Sequence, residues 1–126
     1  MARLQFSNTG IAGMAAAVPS NTIDNLSYTM YFPAEDVKDI VEKTGIRQRR
    51  FAPEGMCASD LCFKAAEQLI NDMQINKDEI DLLVFVSQTP DYRMPATSVL
   101  LQHRLGLRKD TMAFDISLGC SAFVYA

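Results

Sequence analysis

No two of the three cysteines, Cys57, Cys62 and Cys120, are spaced as Cys-x-x-Cys, and an odd number leaves one unpaired even if two joined. That excludes a disulfide-stapled secreted scaffold; the thiols read as free in a reducing compartment, and the sequence predicts a cytoplasmic protein. Cys57 and Cys62 do not share a helix face and have no histidine near them in sequence, so no metal site is expected. Charge of one sign is also scarce. The 12 Lys+Arg stand against 15 Asp+Glu for a net charge of −3, which supplies no basic field for a nucleic-acid partner. Long apolar runs are missing too: Ile11 to Val18 contains Gly13 and follows a start whose sole basic side chain is Arg3. It falls far short of the roughly 20 residues needed to cross a bilayer, and it makes a poor signal peptide. Gly10-Ile11-Ala12-Gly13 lacks both the lysine and the spaced third glycine of a phosphate-cradling loop.

What remains is an ordinary soluble composition, 126 residues at 48% hydrophobic and 21% charged, which fits one domain or part of one. A chain of this size buries roughly two thirds of its unfolded surface and needs no staple. Leu4 to Val18, apolar with Gly10 and Gly13 inside it, suits a buried strand whose glycines permit a close backbone approach. Pro33-Ala34-Glu35-Asp36 opens a helix with Val37, Ile40 and Val41 on one face, and Gly45 is placed to stop it. Ile46 to Phe51 reads as a short extended piece. The longest helix starts at Ser59 as its cap and carries Leu61, Cys62, Ala65, Ala66, Leu69, Ile70 and Met73 on one face, ending near Ile75-Asn76.

Leu82-Leu83-Val84-Phe85-Val86 is a continuous apolar run of the kind found in a parallel strand covered on both faces. A helix from Ala96 to Leu105, closed by Gly106, leads to a second buried strand, Met112 to Ile116. Alternating strands and helices predict an α/β domain with a mainly parallel or mixed sheet and covering helices. The last residues, Ala122 to Ala126, read as an apolar first helical turn without partners, so the expectation is a fragment of a longer protein. Its uncovered faces are expected to self-associate.

Cys120 stands where a strand turns into a helix. Backbone N–H groups and the positive end of a helix dipole favour a thiolate there, and the same N–H groups could take the oxyanion of an acyl-transfer intermediate. The alternative is a small buried residue filling a gap between helix and sheet. The α/β-hydrolase elbow is excluded, because Leu118 and Ala122 occupy its two glycine positions.

Thr44-Gly45-Ile46-Arg47-Gln48-Arg49, Pro95 with Leu101-Gln102 and Leu105-Gly106, and Ala113-Phe114-Asp115-Ile116 running into Gly119-Cys120-Ser121-Ala122-Phe123 resemble, in order and spacing, the N-terminal part of β-ketoacyl-acyl-carrier-protein synthase III. The resemblance covers nearly the whole chain, and its specific part is Phe-Asp-x-x-x-x-Cys-x-x-Phe. It implies a thiolase-like fold of two similar halves, with residues 1–126 forming the first and stopping just after the nucleophile turn. It implies an enzyme that loads an acyl group onto Cys120 and condenses it with malonyl-acyl carrier protein, releasing carbon dioxide, as a homodimer without a bound cofactor. The Cys120 N–H would form part of the oxyanion hole. The family's catalytic His and Asn lie in the second half, and His103, which precedes the cysteine, is no substitute.

Two further positions carry over. Lys43 matches the basic residue before Thr-Gly-Ile-Arg and could reach a phosphate of a coenzyme A thioester, the alternative being a lysine that complements a helix end. Met94 matches an aromatic residue that in some relatives closes the partner's acyl pocket; the alternative is a plain loop residue beside Pro95. Asp39 stands where several members place a Trp that stacks the adenine of coenzyme A, and this chain has no Trp. Acyl-carrier-protein donors, and related condensing enzymes of secondary metabolism or of the hydroxymethylglutaryl type, therefore stay open. So does a non-catalytic interaction domain with a structural cysteine. Arg47, Arg49 and Arg50 could meet an acidic carrier protein, or pair internally with Asp115 or Glu54.

Overall fold

The computed structural model describes residues 5–126. Its larger unit is built on two strands, β3 (Leu82–Val86) and β4 (Met112–Ile116), which follow a smaller ribbon described below. They pair in parallel, in a register running from Leu82↔Met112 to Val86↔Ile116. Parallel neighbours need a crossover, and α3 (Thr97–Leu105) supplies it, packing on both strands and on α2 (Ala58–Asp72). Ile70, Leu105 and Leu107 form the core between these elements, with Phe63, Ala66, Ile75, Ile80 and Leu83 against them. Gly106 ends α3 as the sequence predicts: at φ 67° it adopts the left-handed conformation and returns its N–H to Gln102 and His103.

The smaller unit pairs β1 (Asn21–Asp24) with β2 (Gln48–Phe51) antiparallel, beside α1 (Ala34–Thr44), which Gly45 terminates at φ 72°. Among the described residues Arg47, Arg49 and Arg50 form no ion pair with Asp115 or Glu54. The Arg49 guanidinium sits over the rings of Tyr28 and Phe51, at 4.5 and 5.0 Å, where cation–π attraction replaces a counter-ion. Arg50 donates to the carbonyls of Pro19 and Ser20 at 3.1 and 3.2 Å. The carboxylate of Asp115 is taken instead by α3.

Three further expectations are corrected. Leu4 lies outside the described residues, and 5–18 form no strand; the first strand is Asn21–Asp24. A strand buried on both faces needs neighbours in the sheet. Here β3 has only β4, while Leu83–Val86, together with Cys62, Ala66, Leu101 and Leu105, line an open cavity of about 200 Å³. The glycine does permit a close approach, but to a helix: a Cβ on Gly13 would collide with the Met73 sulfur and lie 3.1 Å from Leu69 Cδ1. Neither strand of the parallel pair is covered on both faces, and Leu82 remains 50% exposed because the sheet stops at two strands. Finally, α2 begins at Ala58, not at a Ser59 cap. The Asp60 carboxylate accepts the Cys57 N–H at 2.9 Å, and Ser59 is buried. The last expected helix is the single turn α4 (Ala122–Tyr125).

Candidate active site

Because β3 and β4 run parallel, their carboxyl ends and the loops after them lie side by side, which is where open α/β sheets place ligands. Beyond the strands the ladder continues with Ser87 donating to the Ile116 carbonyl at 3.2 Å. On the β4 side the chain turns through Ser117–Ser121, with the Ala122 N–H on the Gly119 carbonyl at 2.9 Å. Cys120 is exposed on this turn. Among the described residues no group accepts its N–H, so that donor is available to an incoming carbonyl oxygen. The expected support from a helix dipole is reduced, since α4 is one turn and a macrodipole needs aligned peptides over several. Exposure and a free N–H are what this turn offers a nucleophile.

On the β3 side stands Gln88, which sequence reasoning missed. A Cβ placed on Gly119 would lie 3.6 Å from Gln88 Oε1 and 3.8 Å from Nε2, so the carboxamide lies against the residue preceding Cys120. The available signal was its place just after an apolar run ending at the carboxyl end of a parallel strand.

The turn is anchored by Asp115. Its two carboxylate oxygens accept the N–H groups of Thr97 and Ser98, each at 2.8 Å, and both of those residues are 0% exposed. A strand carboxylate thus satisfies the orphan donors at the start of α3, whose own cap position, Ala96, offers no side-chain acceptor. Desolvation, the largest influence, pushes the Asp115 carboxyl up; hydrogen bonding from Ser98 and Thr97 outweighs it and holds the carboxyl below its ordinary range. Asp115 therefore ties the strand that enters the Cys120 turn to the helix that follows the Met94–Pro95 loop.

The remaining predicted residues lie on other elements. Lys43, at the end of α1 in the smaller unit, has its Nζ 2.6 Å from the Asp39 carboxylate, with both side chains largely exposed. The residue standing where relatives carry an aromatic is thus paired with the lysine. Met94 is 85% exposed beside Pro95. His103 borders a hollow of about 310 Å³ with Cys57, Asp60, Asp91, Tyr92 and Arg104, and Cys120 is not among its lining residues. Cys62 keeps part of its surface in solvent, yet desolvation first and the Asp91 carboxylate second push its thiol up. It is a poor nucleophile at neutral pH, since the thiolate is the reactive form.

The arrangement matches known proteins closely. Over 116 residues the chain is 38% identical to the β-ketoacyl-[acyl-carrier-protein] synthase III of Clostridioides difficile, covering 92% of this chain and 35% of that protein. A solved 3-oxoacyl-(acyl-carrier protein) synthase from Burkholderia xenovorans superposes with a TM-score of 0.84 at 43% identity, covering 90% of this chain and 33% of that one. A tetronic acid condensing enzyme superposes at 0.78 with 27% identity, over 90% of this chain and 36% of its own. No protein-family model matches.

The chain has the α/β fold of part of the thiolase-like enzymes on which it superposes. Within that class the chain is homologous to β-ketoacyl-acyl-carrier-protein synthase III. It spans about a third of the length of the relatives it matches.

Proposed function

We propose that this chain is the nucleophile-bearing part of an acyltransferase of the β-ketoacyl-acyl-carrier-protein synthase III type, acting in fatty acid biosynthesis. The observation that carries it is an exposed cysteine with an unclaimed N–H at the carboxyl end of a parallel strand, inside a chain homologous to that family. In the loading step the Cys120 sulfur bonds to the carbonyl carbon of an acyl thioester while the Cys120 N–H steadies the developing oxyanion. The carbon–sulfur bond of the donor then breaks, and the departing thiol takes the proton that Cys120 gave up. Condensation with malonyl-acyl carrier protein would follow, on residues outside this chain. Losing one preorganised oxyanion donor typically lowers such rates by about 10²–10³, so the chain alone is expected to stop at the acyl-cysteine. The reading includes a cytoplasmic homodimer whose partners are acyl carrier protein and an acyl-CoA or acyl-carrier-protein donor, with Met94 shaping the acyl pocket and Lys43 near the donor's phosphates.

A second reading, a condensing enzyme of secondary metabolism, draws on the tetronic acid enzyme's likeness and on Asp39, whose ion pair with Lys43 both replaces the adenine-stacking aromatic and occupies the ammonium.

Intact mass after incubation with short acyl-CoAs and acyl carrier proteins tests both. The expected result is a single acyl addition that disappears in Cys120→Ser, and the donor that delivers it separates the readings. A chain of native circular dichroism that gains no acyl group from any donor would instead make Cys120 structural.

A further inference from the structure

We infer that Gln88 is a substrate-binding residue whose carboxamide hydrogen-bonds a secondary amide in the thiol arm of the acyl donor. This rests on the acyl-cysteine reading above and goes beyond it, because it names the part of the donor that is read. Gln88 lies past the end of β3, on the loop beside the nucleophile turn, and its carboxamide atoms pack at 3.6–3.8 Å from where a Gly119 Cβ would be. A thioester whose carbonyl reaches Cys120 from the Gln88 side brings its sulfur, and the arm beyond it, past that carboxamide. Gln88 is exposed, and its carboxamide makes no hydrogen bond among the described residues. A primary carboxamide presents one acceptor and two donors on a planar frame, the complement of a secondary amide's N–H and C=O. An alkyl thioester offers no such partner. The arms of coenzyme A and of acyl carrier protein both carry amides, so the proposal does not depend on which of them is the donor.

The test compares rates of acyl addition to Cys120 by intact mass, for the wild type and Gln88→Leu, from two donors of one acyl group: its N-acetylcysteamine thioester, which carries the amide, and its ethyl thioester, which does not. Leucine preserves approximate volume and removes the hydrogen bonds. Loading from the N-acetylcysteamine donor is expected to fall about fivefold to tenfold, the scale of one neutral hydrogen bond. Loading from the ethyl thioester is expected to stay within about twofold. Equal losses with both donors would make Gln88 a packing residue for the turn and overturn the proposal, and so would no loss with either. A wild-type chain that loads from neither donor fails differently, by removing the acyl-cysteine reading on which this one stands.

Discussion

Leu105→Ala is expected to lower the stability of the chain by about 3 kcal/mol, within the usual 2–5 kcal/mol for truncating a buried leucine. Leu105 is 5% exposed at the centre of the cluster with Ile70 and Leu107, and it also lines the cavity along β3. Shortening it removes transfer energy and enlarges a space that is already incompletely filled. Single domains hold only about 5–15 kcal/mol in total, so the loss is a large share. It should read as a drop in the midpoint of urea unfolding with little change in slope. Val99→Ala on the same helix is the control, because Val99 is 43% exposed and surface changes usually stay within about 0.5 kcal/mol. Equal effects from the two variants would mean that the core is not where the structure puts it.

Asp115→Ala is expected to cost about 2 kcal/mol, the upper range for loss of a helix N-terminal acceptor, because two buried N–H groups lose their partner together. Asp115→Asn should cost less, since one acceptor oxygen remains. The sign of the pH dependence follows from the lowered carboxyl. A carboxylate that titrates lower in the folded chain contributes fully above its unfolded value, about 3.9, and that contribution disappears as pH falls through the lower folded value. The stability gap between wild type and Asp115→Asn should accordingly be constant from pH 7 to about 5 and shrink below about 4. Urea titrations at pH 7 and at acid pH measure it; a gap that widens on acidification would show that Asp115 is not the ionised clamp.

Much of this was legible from local signals. The strands Leu82–Val86 and Met112–Ile116 were recognisable as short apolar runs, although not for the burial on both faces that such runs suggest, and Gly45 and Gly106 because left-handed helix ends favour glycine. The turn that carries Cys120 was legible from its place between a strand and a helical segment. The misses are tertiary. Residues 5–18 have the composition of a buried strand, but strand formation depends on neighbours, and β3 has only one. Asp60 displaced Ser59 in capping α2 because a carboxylate inside the first turn reaches back to the N–H of Cys57. Gln88 shows its meaning only once parallel pairing sets it beside Gly119. Ion pairing was one reading of the arginines; Arg49 instead sits over aromatic faces, a choice that depends on where Tyr28 lands, and Arg50 donates to backbone carbonyls.

The division into two small sheets also has a kinetic side. The ribbon of β1 and β2 is clasped by one guanidinium between two rings, while β3 and β4 share the buried residues of α2 and α3. Opening free energies follow such differences in burial. In deuterium the ribbon's amides are expected to exchange before those of the core helices and the paired amides of β3 and β4, so that the segment leading into Cys120 outlasts the ribbon.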